Sequence, residues 1–287
     1  MSSPENHPLS PSAEQLIRLA IKEDIGSGDI TSQEFIPADT PARARVVARE
    51  SCIFAGGFIA NPILQQIDAS LQVRQITKDG ESVSAGQPVL EITGQARSIL
   101  SAERVLLNFL QRLTGIATLT HRYVDEIKET SARLLDTRKT TPGWRELEKI
   151  AVLTGGGTNH RMGLYDMVML KDNHLAAQGS REALAACLKN FRKKYPDIPI
   201  EIEADTLEQV RFFATLPEVS FILLDNMTPD QMCEALTARR EGLQFEASGG
   251  VNLKTIRAIA ETGVDFISVG ALTHSATCVD LGMDWEN

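Results

Sequence analysis

Apolar and polar positions along this chain change rhythm twice. Leu16, Ile17, Leu19 and Ala20 share one helical face, and Ser12 and Gln15 are spaced like a capping box, so a first helix is predicted behind a polar tail of about residues 1–11. Gly26-Ser27-Gly28-Asp29 reads as a loop. From Ala42 to Ala96 the pattern alternates instead. Ala44–Arg49, Leu71–Ile76 and Val89–Ile92 read as strands, Asp79-Gly80 and Ala85-Gly86 as turns, and Gly57–Asp68 as a helix between them. This predicts an α+β layer with antiparallel pairing. Ile99, Val105, Leu106, Phe109 and Leu110 then mark a helix over Ser98–Leu113, and a second runs from about Ile116 to Glu129.

Beyond that point strand, loop and helix repeat. Strands are predicted at Arg133–Asp136, Met167–Leu170, Pro199–Glu203, Phe221–Leu224, Gln244–Ala247 and Phe266–Val269. Helices are predicted at Ser180–Lys194, Thr206–Ala214, Pro229–Arg240 and Leu253–Thr262. Alternation of this kind implies a parallel sheet with right-handed crossovers. Every strand ends in polar residues, from Asp136-Thr137-Arg138-Lys139 to Gly270-Ala271-Leu272-Thr273-His274. An open sheet gathers function at one switch point. A barrel delivers side chains from every strand to one mouth. Six loaded ends favour an α/β barrel, incomplete because six or seven strands fall short of the usual eight.

Composition narrows the function. The chain has 287 residues, 43% of them hydrophobic, which is ample for a packed core. A net charge of −9 argues against nucleic-acid binding. It leaves anionic small molecules open, because clustered cations can outweigh the mean field locally. No apolar run is long enough to span a membrane, no secretory leader is read at the N-terminus, and four scattered cysteines fit neither a disulfide framework nor a zinc site. The expectation is a cytoplasmic enzyme.

Three constellations carry chemistry. Ser248-Gly249-Gly250 and Ser268-Val269-Gly270 are glycine-bearing exits from the last two strands, where barrels often hold phosphate on backbone N–H groups. His274 is placed to join them. Arg138, Lys139, Arg161 and Lys171, with His160, form a cationic set suited to a polyanion, since arginine forks match carboxylates and lysine supplies a point charge. Lys171 directly follows Met167-Val168-Met169-Leu170, so a buried strand is expected to hold it. Glu203 and Asp225 end adjacent strands and suit Mg²⁺ shared with a substrate phosphate; Glu201, one step deeper, is the weaker candidate. The competing reading pairs these acids structurally with the cations. A Schiff-base role for Lys171 also stays open.

The segments Glu103–Asn108, Asp136–Gly143, Asn159-His160-Arg161 and Leu170–His174 resemble the quinolinate phosphoribosyltransferase family. Glu201-Ile202-Glu203, Leu223–Asn226, Ser248-Gly249-Gly250 and Ser268-Val269-Gly270 continue the likeness in order. The resemblance implies an N-terminal α/β sandwich over 1–114 and a barrel over 115–275, with 276–287 packing back on the sandwich. It implies transfer of phosphoribosyl from 5-phosphoribosyl 1-pyrophosphate to quinolinate, giving nicotinate mononucleotide, pyrophosphate and CO₂. It further implies a homodimer with shared sites, higher assembly occurring in some members. Carried over by position, Arg138, Arg161 and Lys171 hold the quinolinate carboxylates with His160 nearby, and Arg104 reaches in from the partner subunit. Lys139, Ser248, Gly249, Gly250, Gly270 and His274 take the donor's phosphates, while Glu203 and Asp225 meet its ribose and Mg²⁺. A related phosphoribosyltransferase with another acceptor, such as nicotinate or that of a homologue associated with molybdenum transport, is the nearest alternative.

Overall fold

The computed structural model describes residues 9–286; most of the expected polar tail lies outside them. In chain order the elements are α1 (Pro11–Ile25), α2 (Ile30–Phe35), β1 (Pro41–Ala48), β2 (Cys52–Ile53), α3 (Gly57–Ile67), β3 (Gln72–Gln75), β4 (Ser82–Val83), β5 (Pro88–Gln95), α4 (Ala96–Ile127), β6 (Arg133–Leu135) and α5 (Arg145–Thr154). They continue with β7 (Val168–Leu170), α6 (Asp172–Gln178), α7 (Arg181–Lys194), β8 (Ile200–Ala204), α8 (Leu207–Phe213), β9 (Phe221–Asp225), α9 (Pro229–Leu236), β10 (Gln244–Ser248), α10 (Ile256–Ala260), β11 (Phe266–Ser268), α11 (Ala271–His274) and β12 (Leu281–Glu286). The chain forms two compact units. One takes the residues up to 121, 140–156 and those from 272 onward; the other takes 122–139 and 157–271.

The first unit is built on an antiparallel sheet in the order β12-β1-β5-β3, with β2 and β4 paired separately. Alternation in β1 buries Ala44, Val46 and Ala48 completely. Its other face sets Arg45 opposite Glu91 in register, and Glu91 also meets Arg74 of β3 at 3.0 Å. Helix α1 begins earlier than the sequence pattern predicts. Ser10, not Ser12, is the N-cap, accepting from the Ala13 N–H, and Pro11 takes the first helical position. The two helices expected on either side of Gly115 are one helix of 32 residues. Gly115 does not break it; the glycine makes room, because a Cβ there would run into the Thr277 carbonyl oxygen.

The second unit carries a six-stranded sheet ordered β6-β11-β10-β9-β8-β7, parallel at every pairing. No ladder joins β6 to β7 among the described residues, so the barrel is incomplete. The outer edge of β6 is instead extended by a bridge from Leu135 to Thr158. Along β8, β9 and β10 the residues Ile200, Ile202, Ile222, Leu224, Phe245 and Ala247 are fully buried. The intervening residues share the other face and change character along the strands. At the N-terminal end Phe221 and Phe266 pack with ring centroids 5.9 Å apart, and Arg133 stacks on Phe266. At the C-terminal end the same face is charged.

Candidate active site

A cavity of about 530 Å³ opens at the C-terminal ends of the parallel strands. Period-two alternation delivers residues in i, i+2 steps: Met169 from β7 with Lys171 just past its end, Leu223 and Asp225 from β9, Glu246 and Ser248 from β10. Glu203 comes from β8 and Ser268 from β11. Thr137, Arg138 and Lys139 follow β6, and His160 and Arg161 follow the bridged Thr158. The Arg138 charge is felt at Arg161, whose guanidinium is pulled below its ordinary value first by burial and then by Arg138. Two guanidiniums so placed can meet two carboxylates of one ligand.

The structure gathers every predicted site residue into this cavity except Arg104, Gly270, His274 and the weaker candidate Glu201. Gly270 lies two residues beyond the lining residue Ser268. Arg104, exposed on α4, and His274, bonded to Ser275 at 2.7 Å, belong to the first unit. Lys171 is held differently from the sequence expectation. β7 is an edge strand with half-buried residues, and the Lys171 ammonium is exposed. Its anchor is the Glu203 carboxylate at 2.8 Å.

Glu203, Asp205 and Asp225 bring carboxylate oxygens within 4.8 Å of one another. Three hard oxygen donors at that spacing fit a magnesium ion that keeps several other ligands. Asn226 donates from Nδ2 to Asp225 at 2.7 Å and stands at φ 53°, a left-handed conformation that asparagine tolerates. Gly249 and Gly250 also have positive φ, 93° and 62°. A Cβ on Gly249 would strike the Asn226 side chain, so glycine is required twice over at this exit.

Beneath the cations lies a buried acid cluster. His160 Nε2 is 3.2 Å from Glu201 Oε2 and 3.3 Å from Glu246 Oε2. Glu201 is completely buried and Glu246 nearly so. Burial disfavours a charged ring and the two carboxylates favour one, so the three groups together hold a proton more tightly than they would apart. Burial, then the Glu246 charge, pushes the Glu201 carboxyl up to about 7. His160 Nδ1 accepts the Arg161 N–H at 2.7 Å, so its lone pair is in use. The extra proton is therefore shared between Nε2 and the carboxylates facing it. The His160 backbone N–H donates to Asp136, a fully buried carboxylate, at 2.8 Å.

Models of both halves of one family match the chain. The quinolinate phosphoribosyl transferase N-terminal domain covers residues 29–114 and its C-terminal domain covers 116–284. The chain belongs to the quinolinate phosphoribosyltransferase family. Its relatives include a probable nicotinate-nucleotide pyrophosphorylase (carboxylating) of Bacillus subtilis, 43% identical over 91% of this chain and 89% of that protein. The Mycobacterium leprae nicotinate-nucleotide pyrophosphorylase (carboxylating) is 41% identical over 95% of this chain and 96% of its own. The solved nicotinate-nucleotide pyrophosphorylase of Francisella tularensis superposes with a TM-score of 0.90 at 35% identity, covering both chains completely.

Sequence reasoning about this phosphoribosyltransferase passed over Glu246, Asp136, Asp205 and Asn226. Glu246 left a signal: a lone acid between Phe245 and Ala247, inside a strand that is otherwise buried and apolar. Asp136 left the same signal after Leu134 and Leu135. Asp205 and Asn226 become visible only when neighbouring strand ends are brought together.

Proposed function

We propose that this cavity joins quinolinate to the phosphoribosyl group of 5-phosphoribosyl 1-pyrophosphate and decarboxylates the adduct, yielding nicotinate mononucleotide, pyrophosphate and CO₂. The reaction is that of the family to which the chain belongs, and it serves NAD biosynthesis. The observation that carries the site assignment is the joining of four cations, the acids Glu203 and Asp225 and a glycine exit in one cavity, with Asp205 beside those acids.

Arg138 and Arg161 bind and orient the dicarboxylate, with Lys171 as a third positive charge. Their arrangement aims the pyridine nitrogen at the ribose C1, and orientation lowers the barrier without covalent help. Glu203 and Asp225 accept from ribose hydroxyls and stabilise the positive charge that grows on the sugar as pyrophosphate departs. Lys139 and the Ser248–Gly250 exit hold donor phosphates. Glu203, Asp225 and Asp205 would hold Mg²⁺, whose charge would offset that of the leaving pyrophosphate. Once the ring nitrogen is alkylated, the cationic ring accepts the electron pair of the neighbouring C–CO₂⁻ bond, and CO₂ leaves. The ion pair of Lys171 with Glu203 favours an electrostatic role over a Schiff base, which needs a free neutral amine.

Two guanidiniums in one cavity favour a dicarboxylate over a monocarboxylate such as nicotinate. We assign Arg104 to the partner subunit's site, and the active species to a homodimer. No described helix is long and apolar enough to cross a membrane, and the four cysteines are free, in keeping with action in the cytoplasm. The test is release of CO₂ and nicotinate mononucleotide from quinolinate, donor and Mg²⁺. Lys171→Ala is expected to cut turnover by roughly 10³-fold or more with an unchanged circular dichroism spectrum. Absence of both products with the unaltered protein refutes the assignment. Full turnover by Lys171→Ala refutes the role of that lysine.

A further inference from the structure

Two carboxylates and an imidazole packed together in a cavity floor are costly to bury. Glu201 and Glu246 stand in mid-strand positions flanked by fully buried Ile200, Ile202, Phe245 and Ala247. Both Glu201 oxygens and Glu246 Oε1 lack a protein hydrogen bond among the described residues. An apolar pair would pack there at lower cost, so the cluster calls for a reason beyond stability.

The geometry around His160 supplies one. Its ring is held at both nitrogens by protein groups. Nδ1 receives the Arg161 N–H at 2.7 Å, and Nε2 faces Glu201 and Glu246 at 3.2 and 3.3 Å. Nδ1 can accept only while it carries no proton. A proton on Nδ1 would set two N–H groups head to head and push the Arg161 backbone away. Two carboxylates on the opposite side of the ring keep the proton at Nε2, as a carboxylate behind a histidine fixes its tautomer in many catalytic and metal sites. The Arg161 backbone is thus set by the ring, and the ring by the acids. The Arg161 guanidinium then reaches the Met167 carbonyl and Met169 Sδ, both at 3.3 Å, weak contacts that leave its position dependent on the backbone.

We propose that Glu246 is a positioning residue for the quinolinate grip: with Glu201 it fixes the Nε2–H form of His160, and the unprotonated Nδ1 holds the backbone that aims Arg161. In this role His160 acts through Arg161. The kinetic arm of the test rests on the quinolinate assignment; the spectroscopic arm stands without it.

The spectroscopic arm is nitrogen-15 NMR of the imidazoles, with His160 assigned by loss of its signals in His160→Asn. The unaltered protein is expected to show Nδ1 unprotonated and Nε2 protonated at neutral pH, with or without substrates. A protonated Nδ1 overturns the proposal, even if the protein turns quinolinate over at full rate. The kinetic arm compares Glu246→Leu with Glu246→Gln, whose side-chain oxygen can still accept from Nε2–H. Glu246→Leu is expected to raise KM for quinolinate roughly tenfold or more while KM for the donor stays within about twofold. Glu246→Gln is expected to return most of that loss. Equal changes in both KM values, no change in either, or no rescue by glutamine overturns the proposal. If Glu246→Leu fails to fold, Glu246→Gln and the NMR of the unaltered protein still decide. If the unaltered protein makes no nicotinate mononucleotide, the substrate assignment falls and the NMR result stands alone.

Discussion

At the scale of single residues, the His160 cluster ties local chemistry to pH. Glu201 sits at about 7, above its ordinary value. A raised value means that the folded chain holds the proton more tightly than the unfolded chain. The Glu201 contribution to stability is therefore complete below about pH 4.5 and fades as pH rises through about 7. The urea midpoint is expected to fall between pH 5 and pH 7.5, and to fall less in Glu201→Gln. An equal fall in both proteins would show that other groups cause it. The sequence reading finds His160 and Arg161, but a linear chain does not reveal which side chain faces which. Glu246 lies far from His160 in sequence, and only the curl of the sheet brings its carboxylate within 3.3 Å of the ring.

At the scale of elements, Gly115 shows how tertiary contact overrides local preference. Glycine costs an isolated helix about 1 kcal/mol against alanine, so local reasoning expects a break there. The Thr277 carbonyl occupies the space a Cβ would need. Gly115→Ala therefore trades that gain of about 1 kcal/mol for overpacking against rigid backbone, which costs roughly 1–3 kcal/mol. A melting temperature lowered by a few degrees is the expected result; an unchanged or higher value would show that the Thr277 segment yields freely. The strands were easier to read than the helices. Arg133–Asp136, Phe221–Leu224 and Gln244–Ala247 each fall within one residue of an observed strand, because buried parallel strands are short apolar runs bounded by polar residues. The short helices α5, α6 and α11 were not predicted, and Leu253–Thr262 narrows to Ile256–Ala260 behind a turn tied by Asn252. Strand β12 also escaped the pattern; it lies antiparallel to β1, joining the two ends of the chain in one sheet.

At the scale of the whole molecule, the proposed homodimer is the open element. Arg104 stands exposed on α4, in a different unit from the cavity-lining cations. If it serves a partner's site, inactive Arg104→Ala and Lys171→Ala proteins should recover activity when mixed, through one intact shared site per dimer. Up to about a quarter of the unaltered rate is expected after random exchange of subunits, because half the dimers are mixed and each keeps one of two sites. No recovery, with exchange demonstrated by a labelled subunit, would remove Arg104 from the partner's site. The net charge of −9 reads differently at this scale. Residues 136–174 carry six Lys and Arg against five Asp and Glu, so the acid excess lies elsewhere. Local arrangement, not the total, decides what the cavity attracts.

The sequence by itself determined the fold class and nearly all the charged groups of the site. Both are written in local patterns: the two-residue and 3.6-residue rhythms, and polar residues stationed at strand ends. Tertiary structure alone decided which of those groups touch. It paired Lys171 with Glu203, set Asp205 beside Glu203 and Asp225, and closed Glu201, Glu246 and Asp136 around His160. Residues of adjacent parallel strands are separated by whole crossovers in sequence. Their side chains meet only through the register and curvature of the sheet, which no local pattern encodes.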